Sequence, residues 1–284
     1  MAYRDKKVII AITSCKRLHL LRRVLYALSV CCEDIDIVDE ILFFDDSSSE
    51  PEREVMKTLL EQYFPQTSVQ RIYFNVDSFP ISKKNYRHAM VLNVLRNKLI
   101  EVGADFYLHL EDDYQYVTSF KLSESIDVLM KHEQYAYVCH YQNYKRFPSH
   151  FNIKWVDNFW EWYYDDKLPL NCSLFKDDIG ALQEATLSPH EYVPGTWIMY
   201  INWPHFSLRP GVHDVHKLLT VGEYCTDYDI RNNSVEFEFA LRWVKKYKML
   251  CVKSFYILNL APNFTINSEP SAYKLTYEKD PDWN

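Results

Sequence analysis

Three consecutive carboxylates, Glu111, Asp112 and Asp113, end the apolar run Phe106-Tyr107-Leu108-His109-Leu110, and Tyr114 and Tyr116 follow them. Packing gives no reason for three acids at the end of a buried strand, because each ionised group there must be solvated, paired or bound to a cation. In an open α/β sheet that edge is where ligands sit. A divalent-metal site holding a phosphorylated substrate accounts for the cluster; an acidic turn that caps a helix or faces water is the alternative. A second acid pair, Asp45-Asp46, closes the run Ile41-Leu42-Phe43-Phe44 and leads into Ser47-Ser48-Ser49. Turn and capping chemistry alone would put Asp and Ser at such positions.

Two more acids, Glu236 and Glu238, lie in the helical segment VEFEFALRW. Glu238 faces Arg242 four residues on, a pairing worth only ~0.3–0.5 kcal/mol but enough to occupy the side chain. Glu236 follows Asn233 at capping-box spacing. His213 and His216 form an HxxH that one helix face can offer to a metal, yet only Asp214 lies between them and no HExxH is present. A core or surface histidine pair is the simpler reading, with His213 as a further metal ligand the other.

The elements that must position these groups alternate in type through the first half. Residues 7–13 read as a strand and 14–17 as a turn; Leu18, Leu21, Leu25 and Leu28 then mark one helical face. Residues 40–44 form a second strand. Ser49 with Glu52 predicts a capping box, and Pro51 suits the first turn of the helix that follows. A third strand is expected over 69–75, a helix over 87–100 and a fourth strand over 105–110. Such alternation with apolar strands predicts an α/β fold with a mostly parallel central sheet, covered by helices on both faces. Beyond it, 135–140 reads as a strand, 194–203 as extended, 214–219 and 234–247 as helices, and 249–258 as one strand-like run. No linker divides the chain, so residues 1–284 read as one domain with two lobes, about 1–118 and 119–284.

Composition excludes several functions. The net charge of −7, without any run of Lys or Arg beyond pairs, argues against nucleic-acid binding. With 5 glycines there is neither a GxGxxG nor a GxxxxGK[ST], so phosphates would have to be held by a cation or by side chains. Aromatic residues reach 16%, which suits a heavy core or a carbohydrate surface. Trp155, Trp160, Trp162, Trp197 and Trp203 are individually core candidates and together make a glycan surface plausible. The 7 cysteines contain no CxxC and read as free thiols in a reducing compartment. Neither a signal peptide nor a membrane anchor is visible, which predicts a soluble cytoplasmic protein.

Four segments, taken in order, resemble the GT-A nucleotide-sugar glycosyltransferases, in particular their inverting family-2-like group. They are VIIAITSCKRLHLLRRVLYAL, ILFFDDSSSE, HAMVLNVLRN with ADFYLHLEDDY, and VEFEFALRW, which together span roughly residues 7–247. The third departs from a strict Asp-x-Asp by reading Glu-Asp-Asp. NWPHFSLRPGVHDVHKLL also looks like an acceptor loop of some members. The resemblance implies a Rossmann-like GT-A domain and transfer of a sugar from a UDP-sugar to a hydroxyl of a glycan acceptor, with Mn2+ or Mg2+ as cofactor.

It further implies that Thr13, Ser14, Arg17, Asp45 and Asp46 form the nucleotide pocket, Asp46 accepting from the uracil imide N–H. Lys83, Lys84 and especially Arg87 would neutralise phosphate or touch the base, although lysines in a polar loop are more often plain solvated charges. Asp113, helped by Asp112, would hold the cation, a hard-oxygen donor set that selects Mg2+ or Mn2+. Glu111 would lie nearer the ribose or sugar hydroxyls. Glu236, or failing it Glu238, would be the base that deprotonates the acceptor. A glycoside hydrolase with paired carboxylates and a non-catalytic carbohydrate-binding protein are the competing classes. A nucleotidyltransferase is disfavoured because no Gly-rich basic loop follows the first strand.

Overall fold

The computed structural model describes residues 5–74, 84–141, 154–161, 174–175, 198–199, 206–224, 235–252 and 257–260. The Val/Ile-rich β1 (Val8–Ser14) is almost wholly buried, as a central parallel strand must be. It feeds α1 (Leu18–Cys31), whose Leu21, Val24, Leu25 and Leu28 are buried in the main core while Leu20 packs with Leu260; each leucine so buried contributes about 1.5–3 kcal/mol. Next come β2 (Glu40–Asp46), α2 (Glu50–Tyr63), β3 (Ser68–Phe74), α3 (Lys84–Glu101) and β4 (Phe106–Glu111). The Ser49–Glu52 capping box forms at the start of α2, with Pro51 in the first turn.

After β4 the chain makes β5 (Tyr114–Tyr116), α4 (Leu122–Lys131), β6 (Tyr135–Cys139) and the hairpin of β7 (Trp155–Val156) and β8 (Phe159–Glu161). Among the described residues, short β9 (Leu174–Phe175) and β10 (Ile198–Met199) pair with each other. Then follow β11 (Gly211–Asp214), α5 (Val215–Val221), α6 (Val235–Trp243), β12 (Lys248–Val252) and β13 (Ile257–Asn259).

One sheet of nine strands runs in the order β3-β2-β1-β4-β11-β6-β12-β8-β7, and only β11 and β8 run against the rest. The expected mostly parallel α/β sheet is therefore observed. Among the described residues no helix is long and apolar enough to cross a membrane. Cys15, Cys31, Cys32, Cys139 and Cys251 are free thiols, as expected for them.

Three sequence expectations need correction. The run over 249–258 is two strands: β12 lies in the main sheet, whereas β13 leaves it to pair with β5. The helix expected over 234–247 ends at Trp243. Part of the segment compared with an acceptor loop is a fully buried sheet strand, β11, wedged antiparallel between β4 and β6. Gly211 permits that wedge, because a Cβ there would stand 2.2 Å from the Val138 carbonyl oxygen and 2.6 Å from the Tyr137 ring.

β11 also separates the HxxH pair. His213 is buried and stacked between Tyr107 and Tyr137, with ring centroids 4.8 and 4.0 Å away. Burial, then His109 and His140, push its pKa well below the usual imidazole value. His216 is exposed on α5 and bonds Asp105 at 3.0 Å. The two imidazoles do not share a site. Trp160 is also core, its indole N–H donating to the Val252 carbonyl at 3.2 Å. Trp162, Trp197 and Trp203, and the side chain of Trp155, lie outside the described residues.

Candidate functional site

Because β2, β1 and β4 are parallel and adjacent, their C-terminal ends reach one edge of the sheet together. Ser14 is in register with Asp45, and Thr13 with Glu111. β11 runs the other way beside β4, so the residues that enter it, Phe206–Pro210, reach the same edge. Four acid-bearing or acid-holding loops thus converge.

Glu111 is the last residue of β4, and Asp112 and Asp113 turn the chain into β5. Asp112 N–H donates to the Thr13 carbonyl at 3.0 Å, which ties this turn to β1. From the other side Leu260 N–H donates to the Asp113 carbonyl at 2.8 Å. The Asp112 carboxylate is buried. Its Oδ2 accepts from Ser14 Oγ at 2.9 Å and from Cys15 N–H at 3.0 Å, and its Oδ1 meets the Arg17 guanidinium. Arg17 also donates to Asp113 Oδ2 at 2.9 Å. Asp113 Oδ1 is buried and accepts no hydrogen bond from any other described residue. Arg17 occupies the N-cap position of α1, directly after Lys16, whose φ of 54° turns the chain sharply at the end of β1.

These acids resist ionisation. Burial, then the neighbouring Asp113, push Glu111 well above the carboxylate range; Asp112 and Glu236 add to the effect and Arg17 opposes it. Burial pushes Asp112 up to about 6 against the pull of Arg17. Asp113 is likewise raised by burial, with Arg17 opposing. One guanidinium therefore compensates incompletely for three clustered carboxyls, and strongly perturbed acids in such a cluster mark it as a candidate functional site.

The β2 turn is built differently. Asp45 is fully buried, with Oδ1 accepting from Ser48 Oγ at 2.5 Å and Oδ2 from Arg53 Nε at 3.0 Å. Asp46 is half-buried beyond it and bonds Ser47 Oγ at 2.6 Å. Ser47 takes φ 64°, and Lys16 N–H donates to Ser48 Oγ at 3.3 Å, so the β1 and β2 loops are joined. Lys84 and Arg87 fall in the first turn of α3, with side chains outside what is described, and Lys83 lies outside the described residues.

On α6 the two glutamates part. Arg242 grips Glu238 through Nε at 2.7 Å and a terminal nitrogen at 2.8 Å, and also donates to the carbonyls of Val221 and Glu223. Glu236 reaches the loop before β11. There its Oε1 accepts from Ser207 Oγ at 2.7 Å and from Leu208 N–H at 2.9 Å. Ser207 Oγ in turn accepts from Arg209 N–H at 3.2 Å, and the Arg209 guanidinium lies 5.0 Å from the Tyr141 ring centroid. Tyr141 packs edge-on against Tyr114, the residue after Asp113.

The structure therefore gathers Thr13, Ser14, Arg17, Asp45, Asp46, Glu111, Asp112, Asp113 and Glu236 at one edge, and turns Glu238 into an ion pair. Sequence reasoning did not single out Ser207, Arg209 or Arg53. Only the first two lay in a segment marked for its resemblance, and their partners are far away along the chain.

Among the described residues no three His, Cys, Asp or Glu side chains converge as a complete metal cage. Two hard carboxylates, each with one buried oxygen that accepts no hydrogen bond among the described residues (that of Asp112 faces Arg17), nevertheless fit a Mg2+ or Mn2+ ion, which commonly takes one or two protein carboxylates and completes its shell with phosphate oxygens and water.

No protein-family profile matches the sequence, and no curated protein matches it. Solved structures do match in shape. The mannosyltransferase PcManGT from Pyrobaculum calidifontis, in complex with GDP-Man and Mn2+, superposes with a TM-score of 0.52 at 12% identity, over 90% of this chain and 57% of that one. S. aureus TarS gives 0.50 at 10% identity, over 88% of this chain and 36% of TarS. Its 1–349 fragment gives the same score and identity, with 59% of the fragment covered. The chain thus spans between about a third and three fifths of these structures. The likeness shows the fold: a single α/β domain of GT-A type, with a mixed, mostly parallel sheet flanked by helices.

Proposed function

We propose that this protein is an inverting, metal-dependent glycosyltransferase that moves a sugar from a UDP-sugar to a hydroxyl of a glycan acceptor. The observation that carries the reading is the convergence at one sheet edge of the β1 and β2 loops, the Asp112–Asp113 pair and Glu236. In outline it is also what the fold of PcManGT, a structure with GDP-Man and Mn2+, would lead one to expect.

In this reading the loop from Thr13 to Arg17 and the Asp46 turn receive the nucleotide, and Asp46, which keeps solvent access, accepts from the uracil imide. Asp45 acts from beneath, by locking the turn through Ser48 and Arg53. Asp113 and Asp112 hold the cation, and Glu111, whose pKa burial and Asp113 push well above the carboxylate range, lies toward the sugar or ribose hydroxyls. When bound, a divalent cation neutralises the charge that develops on the departing diphosphate. Glu236 is fixed by two hydrogen bonds on Oε1, which leaves Oε2 to take the proton of the acceptor hydroxyl as it attacks.

One observation favours a second reading. A Glu111 carboxyl pushed well above the carboxylate range by burial and Asp113, with Glu236 close enough to add to the shift, resembles the carboxyl pair of a glycoside hydrolase. A thermal-shift screen of nucleotide sugars with Mn2+ and Mg2+, followed by assay of UDP release, separates the two. UDP-sugars should raise the melting temperature only when the cation is present, and UDP should appear on turnover. Glycan cleavage without any nucleotide effect would establish the hydrolase instead.

A further inference from the structure

Arg17 is bonded to both of the acids just assigned to the cation. It meets Asp112 Oδ1 and donates to Asp113 Oδ2, and its own side chain is about nine-tenths buried. The remaining Asp112 oxygen is saturated by Ser14 and Cys15. Among the described residues Asp113 Oδ1 has no partner, and Asp112 Oδ1 has the Arg17 ion pair but accepts no hydrogen bond; both are buried. A divalent ion that uses both carboxylates must therefore take Asp112 Oδ1, which Arg17 holds.

We propose that Arg17 and the divalent cation compete for the Asp112–Asp113 oxygens, and that the incoming diphosphate resolves the competition by giving the guanidinium a second anion to bind. This rests on the donor-site reading above. Charge counting supports it. Two carboxylates balanced by one guanidinium leave one negative charge, so a divalent ion arriving alone would place three positive charges on two negative ones. A nucleoside diphosphate brings the missing anions, and a guanidinium fork suits phosphate oxygens as well as carboxylate oxygens. Ser14, the last residue of β1, and the Cys15 N–H hold Asp112 independently of Arg17, so Arg17 can turn toward the nucleotide while Asp112 stays anchored. Arg17 thereby holds the acid pair together without the donor and makes cation binding depend on the donor.

The test is Mn2+ binding to the full chain, followed by the electron paramagnetic resonance signal of free Mn2+ and by calorimetry, with and without UDP. In the wild type, UDP should tighten Mn2+ by a coupling on the order of 5–150-fold. In Arg17→Ala, Mn2+ alone should bind about tenfold or more tightly than it does to the wild type, and the benefit of UDP should shrink. Adding Asp113→Asn to that variant should remove the gained affinity. Unchanged or weaker Mn2+ binding by nucleotide-free Arg17→Ala overturns the proposal, as does gained binding that survives Asp113→Asn. Should Arg17→Ala fail to fold, Arg17→Lys decides: one ammonium does not span both acids as the fork does, and a gain in nucleotide-free Mn2+ affinity is again required. If UDP does not bind at all while the Mn2+ gain is seen, the donor reading fails and the competition stands.

Discussion

The turn after β2 seats Asp45 with one oxygen on the Ser48 hydroxyl and the other on Arg53, whereas the turn after β4 leaves Asp113 Oδ1 buried without a partner among the described residues. Both turns present two acids at the end of an apolar parallel strand, on either side of β1. The first is closed by its own following helix, which supplies Arg53 from its first turn. The second has no helix directly behind it, so its compensation must be brought in by Arg17 from the β1 loop, and it is incomplete. The same division recurs on α6, where Arg242 closes Glu238 and leaves Glu236 for the loop before β11. Clustered acids at a sheet edge are thus informative only once their partners are known: closed acids hold the scaffold, and open ones are the candidates for ligand binding.

Substitutions should separate the two kinds, and the largest effects are expected on the open side. Glu236→Gln keeps an oxygen that Ser207 and Leu208 can bond, so UDP-sugar binding by calorimetry should be normal while transfer falls on the order of 10²–10⁴-fold. Transfer at the wild-type rate would move the base elsewhere. Asp113→Asn should lower UDP release with Mn2+ on the order of 10²–10³-fold while the melting temperature holds or rises, because a poorly compensated buried charge is removed. Activity that survives would sink the cation assignment. Asp45→Asn should do the reverse. It leaves Arg53 beside a neutral partner, and breaking a buried ion pair costs about 3–5 kcal/mol; the low end applies because Arg53 reaches solvent. A chemical-denaturation midpoint would show the loss, and the protein that remains folded should keep its UDP-sugar affinity. If Asp45→Asn is stable but inactive, the contrast between the turns is wrong. A smaller loss, about 1 kcal/mol with unchanged turnover, is expected of Glu238→Gln.

How much of this could be read from the sequence follows from how local each signal is. The β1–α1–β2–α2 stretch was legible because apolar runs alternate with a helical leucine face and because Ser49 and Glu52 carry their capping box within four residues. β11 was not legible, since it has only four residues, two of them His and Asp, and it is a strand solely because β4 and β6 lie on either side of it. α4 was missed for a related reason: it lacks a cap of its own, and Asp34, 88 positions back, accepts the N–H of Leu122 at 2.8 Å in its place. At the site, the acids announced themselves as charges where packing wants none. The cation that answers them did not, because Arg17 and Asp113 are 96 positions apart. Sequence names the groups at the edge, but whether an acid is open or closed is a tertiary property.

A third acid tests whether open and closed carboxyls can be told apart by pH alone. Glu161, at the end of β8, accepts from Lys248 at 2.8 Å, from Lys154 at 3.0 Å and from the Tyr135 hydroxyl. Burial opposes its ionisation, but Lys248, Tyr135 and Lys154 outweigh burial and bring the carboxyl down from 4.5 to about 2. Between those values the unfolded chain binds more protons than the folded one, so Glu161 contributes stability that is complete above pH 4.5 and is lost as the pH falls toward 2. Asp112, lifted from 3.8 to about 6, has the opposite sign: the folded chain binds more protons across that window, so stability falls as the pH rises through it and is level above. Melting curves of Glu161→Gln and Asp112→Asn, each subtracted from wild type between pH 3 and 7 as the protein's solubility allows, should therefore slope in opposite directions. The Glu161→Gln deficit should be greatest at neutral pH, about 2–4 °C for each kcal/mol lost, and should close on acidification. Parallel slopes would mean that Arg17 satisfies Asp112 as fully as the lysines satisfy Glu161, and the acid pair would then belong with the closed carboxyls that hold the scaffold.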